Sequence, residues 1–183
     1  MLDKNHTTFE NLHLLEENLT PSSFSLLLYN NAFSKIKLIQ EITTKQTLPV
    51  LYVDLDFLFS GYIKSQLLAI PNLSLFNTIE STIGEILPKV LAKVSTDPHL
   101  VIFDSMNGLY NALSNDADSG RIVNSILMLL GQNTQLSKST LIIFALAGKK
   151  DNIWVLPNGR QILENENMKK FFISDRSKII IEN

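Results

Sequence analysis

The sequence predicts a three-layer α/β fold with a mostly parallel central sheet and antiparallel hairpins at its C-terminal end. Three observations carry this. Four apolar runs are continuous rather than alternating in hydrophobicity, as strands covered on both faces are. Segments of helical period separate them, which gives the βαβ alternation of a parallel sheet. Near the end of the chain the pattern changes to short extended pieces around turn residues.

Taken in order, the first run is "SFSLLLY" over residues 23–29. A helix follows over 32–44, with Ile36, Leu38, Ile39 and Ile42 as its sheet-facing stripe. The second strand is "LPVLYVDLDF", 48–57, and helices are expected over 61–68 and 78–94, the latter kinked or divided at Pro88. "HLVIFDS", 99–105, a helix over 119–130 and "STLIIFALA", 139–147, complete the core. "NIWVLPNGRQIL", 152–163, then places Pro-Asn-Gly between two extended pieces, and "KFFISDRSKIII", 170–181, repeats the form around Asp175, Arg176 and Ser177. The chain shows no linker, low-complexity segment or internal repeat. It reads as one domain over 1–183, with a lead-in at 1–20, the α/β core at 21–147 and the hairpins at 148–183.

The 183 residues are 45% hydrophobic and 19% charged, a composition able to bury a substantial core. There are no cysteines, which excludes disulfides, thiolate metal sites and cysteine nucleophiles. No apolar run approaches the roughly 20 residues that span a bilayer, and the acidic, polar N-terminus lacks a signal-peptide core, so a cytoplasmic protein is expected. The net charge is −2. Residues 1–97 hold 7 basic against 10 acidic side chains, and residues 138–183 hold 8 against 5. That C-terminal surplus is small. Lys149, Lys150, Arg160, Lys169, Lys170 and Arg176, with Trp154, Phe171 and Phe172 expected to be buried, predict weak nucleic-acid binding at best.

Ligands of open α/β sheets bind beyond the carboxyl ends of the parallel strands. There Asp54 and Asp56 close the second strand, and Asp104 and Ser105 close the third. Acids in such places either serve a magnesium nucleotide, holding the metal shell and orienting water, or cap the following helices. "VDLDF" also has the Asp-x-Asp spacing of haloacid-dehalogenase-like phosphatases, with Asp54 as nucleophile and Asp56 as acid, although that strand usually opens its domain. His6, His13 and His99 have no metal-ligand spacing. No serine lies in G-x-S-x-G, and the glycines form no dinucleotide fingerprint.

Set in order, "NLTPSSFSLLLYNNAFSKIKLIQEI", "VLYVDLDFLF" and "LVIFDSMNGL" resemble the RecA-like ATPase core in its RadA and KaiC form: lead-in, phosphate loop and helix, second strand, and Walker B strand. The resemblance covers residues 17–147 and implies a P-loop type fold. It departs from the family in its chemistry. Anchored on Lys35, the pattern G-x-x-x-x-G-K-[ST] puts Tyr29 and Ser34 at the glycine positions and Ile36 at the hydroxyl position. A β-carbon at either glycine obstructs the wrapping of backbone N–H groups around phosphate, and isoleucine cannot serve magnesium. Asp56 stands where the family has a catalytic glutamate. Phe33 is expected to pack inward or across the loop mouth. Lys35 is either a vestigial phosphate contact or an ordinary exposed lysine in a helix's first turn.

The resemblance therefore implies a catalytically inactive scaffold or regulatory subunit, like recombinase paralogues or the small Elongator subunits. Such a protein binds no cofactor and acts through homo- or hetero-oligomers of RecA-like subunits. The apolar end of the chain, with Arg176, Lys178, Ile179 and Ile181, is the expected interface. The alternative is a divergent ATPase that uses Lys35, Asp56 and Asp104 with ATP and magnesium.

Overall fold

The computed structural model describes residues 9–114, 117–151, 153–160, 166–174 and 178–182. Among the described residues, six α-helices and nine strands follow one another as α1 (Leu12–Glu16), β1 (Phe24–Tyr29), α2 (Ala32–Lys45), β2 (Val50–Asp54), α3 (Leu58–Lys64), β3 (Leu73–Asn77), α4 (Ile83–Thr96), β4 (Leu100–Asp104), α5 (Met106–Ala112), α6 (Ser119–Leu136), β5 (Thr140–Leu146), β6 (Gly148–Lys150), β7 (Ile153–Val155), β8 (Met168–Ile173) and β9 (Ile179–Glu182). The main sheet has the order β3-β2-β4-β5-β1-β8-β9. All its pairs are parallel except β8 with β9.

The four expected core strands are present and fully buried, apart from Leu146 at the end of β5. Their period-two alternation sorts side chains between two cores. Leu26, Leu28, Val53, Val101 and Phe103 pack with α4, α5 and α6 through residues such as Val90, Leu109 and Val123. Leu27, Tyr29, Tyr52, Ile102 and Phe144 pack on the opposite face with α1, α2 and α3 through Leu15, Ile39 and Phe59. A helix layer thus covers each face of the sheet.

Several elements differ from expectation. The segment "LSLFN" forms β3, an edge strand whose side chains are mostly half-buried. Helix α4 runs through Pro88 undivided, and its first turn is closed by Glu85, which accepts the Thr82 N–H at 2.8 Å. Helix α3 begins three residues earlier than the pattern suggested. The first C-terminal hairpin is β6–β7, which turns at Asp151, and Pro157–Gly159 is instead a single 3₁₀ turn after it. Strand β8 adds to the sheet parallel to β1, so only β9 makes an antiparallel edge. The expected turn at Asp175, Arg176 and Ser177, and the position of His6, lie outside the described residues. Among those described, no helix is long and apolar enough to cross a membrane.

Candidate functional site at the carboxyl end of the sheet

Strand phase decides which side chains meet. In β2, Tyr52 and Asp54 share a phase, and in β4 Ile102 and Asp104 do; the β2–β4 register sets Tyr52 beside Ile102 and Asp54 beside Asp104. All of these, with Tyr29 at the end of β1, belong to the face that α2 covers. Only Asn30 and Asn31 join β1 to α2. Asn31 is the N-cap, and its side-chain oxygen accepts the N–H groups of Phe33 at 2.9 Å and Ser34 at 3.2 Å.

Lys35, in the first turn of α2, is neither exposed nor directed out of the loop. It is 1% exposed, and its Nζ donates to both carboxylate oxygens of Asp104, at 2.7 and 2.8 Å. The Tyr52 hydroxyl donates to Asp104 Oδ2 at 2.5 Å. The Tyr29 ring lies 4.8 Å from the lysine ammonium. Asp56, with a side chain 28% exposed, is 3.9 Å from the same ammonium. Burial raises the Asp104 pKa above the ordinary carboxylate value, while Lys35 and the Tyr52 hydrogen bond pull it down. Burial pushes the Tyr52 phenol well up, with the Asp104 charge acting in the same direction. The Tyr29 phenol is raised for the same reasons, with Asp56 adding to the effect.

The remaining acids and hydroxyls hold helix starts. Asp54 is fully buried, and its Oδ2 accepts the Ser60 N–H of α3 at 2.6 Å. A carboxylate so enclosed cannot reach a phosphomonoester, which removes the ground for reading it as a phosphatase nucleophile. Ser105 caps α5 by accepting the Gly108 N–H at 3.2 Å. Ile36, at the position where the P-loop pattern has a hydroxyl, is buried in the core.

Phe33 neither packs inward nor covers the loop mouth. It is 77% exposed, because it shares the outer face of α2 with Gln40 and Thr44, seven and eleven residues on, while Ile36, Leu38, Ile39 and Ile42 take the inner face. At the far end of the sheet, Ile179 is buried, Ile181 is 37% exposed, and Lys178 pairs with Glu10 at 2.8 Å. The Ile179 N–H donates to the Glu10 carbonyl, so the lead-in segment covers the start of β9. Arg176 lies outside the described residues. Trp154 stacks on Phe172 at 3.3 Å between ring centroids, and Phe171 and Phe172 are buried. Arg160 is held by Asn107 and Asn111 over the Tyr110 ring. Lys169 donates to Asn18.

Sequence reasoning singled out Lys35, Asp56 and Asp104, and the fold brings these three together. It missed Tyr52, and it read Tyr29 only as an obstruction at a glycine position rather than as part of the buried cluster. Their signal was a hydroxyl inside an apolar strand, which needs a buried partner.

No family model matches the chain, and no curated protein matches it in sequence. Solved structures resemble it in fold. A RadB recombinase is 17% identical with a TM-score of 0.57, over 89% of this chain and 80% of that one. A DnaB-like replicative helicase is 13% identical with a TM-score of 0.56, over 84% of this chain and 47% of the helicase. A protein of Pyrococcus horikoshii OT3 is 13% identical with a TM-score of 0.58, over 92% of this chain and 90% of that one. The fold is RecA-like.

Proposed function

We propose that this chain is a RecA-like protein that does not hydrolyse nucleotide and acts by assembly, as a scaffold or regulatory subunit among RecA-like partners. One observation carries the reading: the Lys35 ammonium is buried between the two oxygens of Asp104. A phosphate-binding lysine must be available to phosphate, and an acid that serves a magnesium shell must be available to metal-bound water. Here each neutralises the other.

The surroundings support the same conclusion. A two-residue link between β1 and α2 gives little backbone to wrap a phosphate, and the first amides of α2 are taken by Asn31. Ile36 supplies no hydroxyl for magnesium. The residues present therefore do not fit a magnesium nucleotide. A RecA-like fold without its cofactor site retains surfaces for association. With a net charge of −2, weak nucleic-acid binding by the isolated chain accompanies this reading.

Equilibrium titration with a fluorescent ATP analogue and magnesium tests it. No saturable binding is expected below about 1 mM. Micromolar binding that is lost in a folded Lys35→Ala variant, with the fold checked by circular dichroism, would overturn the proposal in favour of the divergent ATPase.

A further inference from the structure

We infer that a second copy of this chain docks on the carboxyl end of the sheet, the β6–β7 hairpin of each copy seated against Phe33, Asp56 and Phe57 of the other. The inference rests on the proposed function, because a bound nucleotide would claim the same end of the sheet.

The receiving surface combines apolar exposure with a carboxylate in excess over the one lysine beside it. Phe33 is 77% exposed and Phe57 41% exposed, at the starts of α2 and α3. The half-buried Asp56 lies beside Lys35, 3.9 Å from an ammonium that is committed to Asp104 at 2.7 Å. Asp56 and Asp104 thus share one lysine. An active phosphate site needs the opposite sign.

The hairpin is its complement. It follows β5, so it rises from the same end of the sheet. Its register places Lys149 opposite Trp154 and Lys150 opposite Ile153, and alternation puts these two pairs on opposite faces. Trp154 stacks inward on Phe172, with Lys149 over its ring at 5.6 Å. The other face therefore points away from the core, and it carries exposed Lys150, Ile153 at 65% exposure and Val155 at 41%. One cation amid apolar side chains matches one carboxylate amid aromatic ones.

Both surfaces lie on one end of one molecule. A two-fold axis that brings two such ends together makes every contact twice, so a closed dimer results rather than an open chain.

Light scattering coupled to size exclusion, from about 1 to about 200 μM chain, tests this. The wild type is expected to move toward twice the monomer mass with concentration. Lys150→Glu, Asp56→Lys and Phe33→Ser should each weaken the dimer at least about tenfold without lowering the melting temperature by more than a few degrees. The decisive arm mixes Asp56→Lys with Lys150→Glu. In the mixed dimer one contact is wild type and the other has both charges reversed, so association should return. A monomer throughout the range, a dimer indifferent to Lys150→Glu, or no recovery on mixing overturns the inference. Those outcomes leave the proposed function standing if ATP still fails to bind, whereas micromolar ATP binding overturns that function whatever the mass.

Discussion

The Lys35 ammonium lies 2.7 and 2.8 Å from the two carboxylate oxygens of Asp104, and both side chains are sealed from solvent. A buried pair of this kind costs desolvation on both sides, so its presence is weak support for stability, but losing one partner is severe. Lys35→Met leaves a buried carboxylate with only the Tyr52 hydroxyl. Asp104→Asn leaves a buried ammonium. Each is expected to destabilise the fold by about 3–5 kcal/mol, and the double variant by less than the sum, with a coupling of about 2 kcal/mol or more. Urea unfolding of the three variants measures this. Additive losses would mean that the two side chains do not act as a pair.

The same pair sets a pH dependence. Burial raises the Asp104 pKa, and in the wild type Lys35 opposes that rise. Removing Lys35 lets the folded-state value climb further. An acid whose folded pKa is raised contributes stability below its unfolded value, about 3.9, and loses it as pH rises through the folded value. The deficit of Lys35→Met relative to wild type should therefore shrink as pH falls from about 7 to about 5. Replacing Asp104 with Asn in that background should abolish the trend. Unfolding at stepped pH reads both, and a deficit that grows in acid would contradict the assignment.

The four central strands were legible because continuous apolar runs have few other uses in a chain of this size. Strand β3 was not. "LSLFN" is short, half-buried and lies at an edge, so its hydrophobic signal is diluted by Ser74. Pro157-Asn158-Gly159 favours a turn and so predicts the C-terminal hairpin there, yet Asp151 turns the chain at positive φ and Pro157 opens a 3₁₀ turn. At the site, the family pattern drew attention to Lys35 and Asp104 separately. Their union spans 69 positions of sequence and depends on strand order, which no local pattern encodes. Phe33 misled for a related reason. An aromatic beside a loop suggested a plug, but the helical phase set by Ile36, Leu38 and Ile42 turns it to solvent.

Gly108 is expected to be among the least replaceable positions near the site. A β-carbon there would lie 2.6 Å from Leu55 Cβ, 2.8 Å from Asp56 Oδ1 and 3.1 Å from the Leu55 carbonyl carbon. Backbone would have to move, since α5 and the segment after β2 are in direct contact. Gly108→Ala should cost about 1–3 kcal/mol. Gly148→Ala, where a β-carbon meets nothing within 4 Å, should stay within about 0.5 kcal/mol. Equal effects in thermal unfolding would refute the close approach.

Asn31 decides whether the first turn of α2 retains any capacity for anions. Its side-chain oxygen takes the Phe33 and Ser34 amides, and its carbonyl takes the Lys35 amide at 3.1 Å. Asn31→Ala should cost about 1 kcal/mol through the lost cap, and Asn31→Gly only a few tenths. If phosphate were the natural partner of these amides, removing the asparagine side chain would free two donors and increase anion binding. Asp104 neutralises the nearby lysine, and Asp54 and Asp56 add negative charge at the same end of the sheet, so the local field opposes an anion. Inorganic phosphate at about 20 mM should raise the melting temperature of neither wild type nor Asn31→Gly beyond what chloride at equal ionic strength does. A phosphate-specific rise, larger in Asn31→Gly than in wild type, would show that the α2 N-terminus still binds anions and that only the side chain of Asn31 keeps them out.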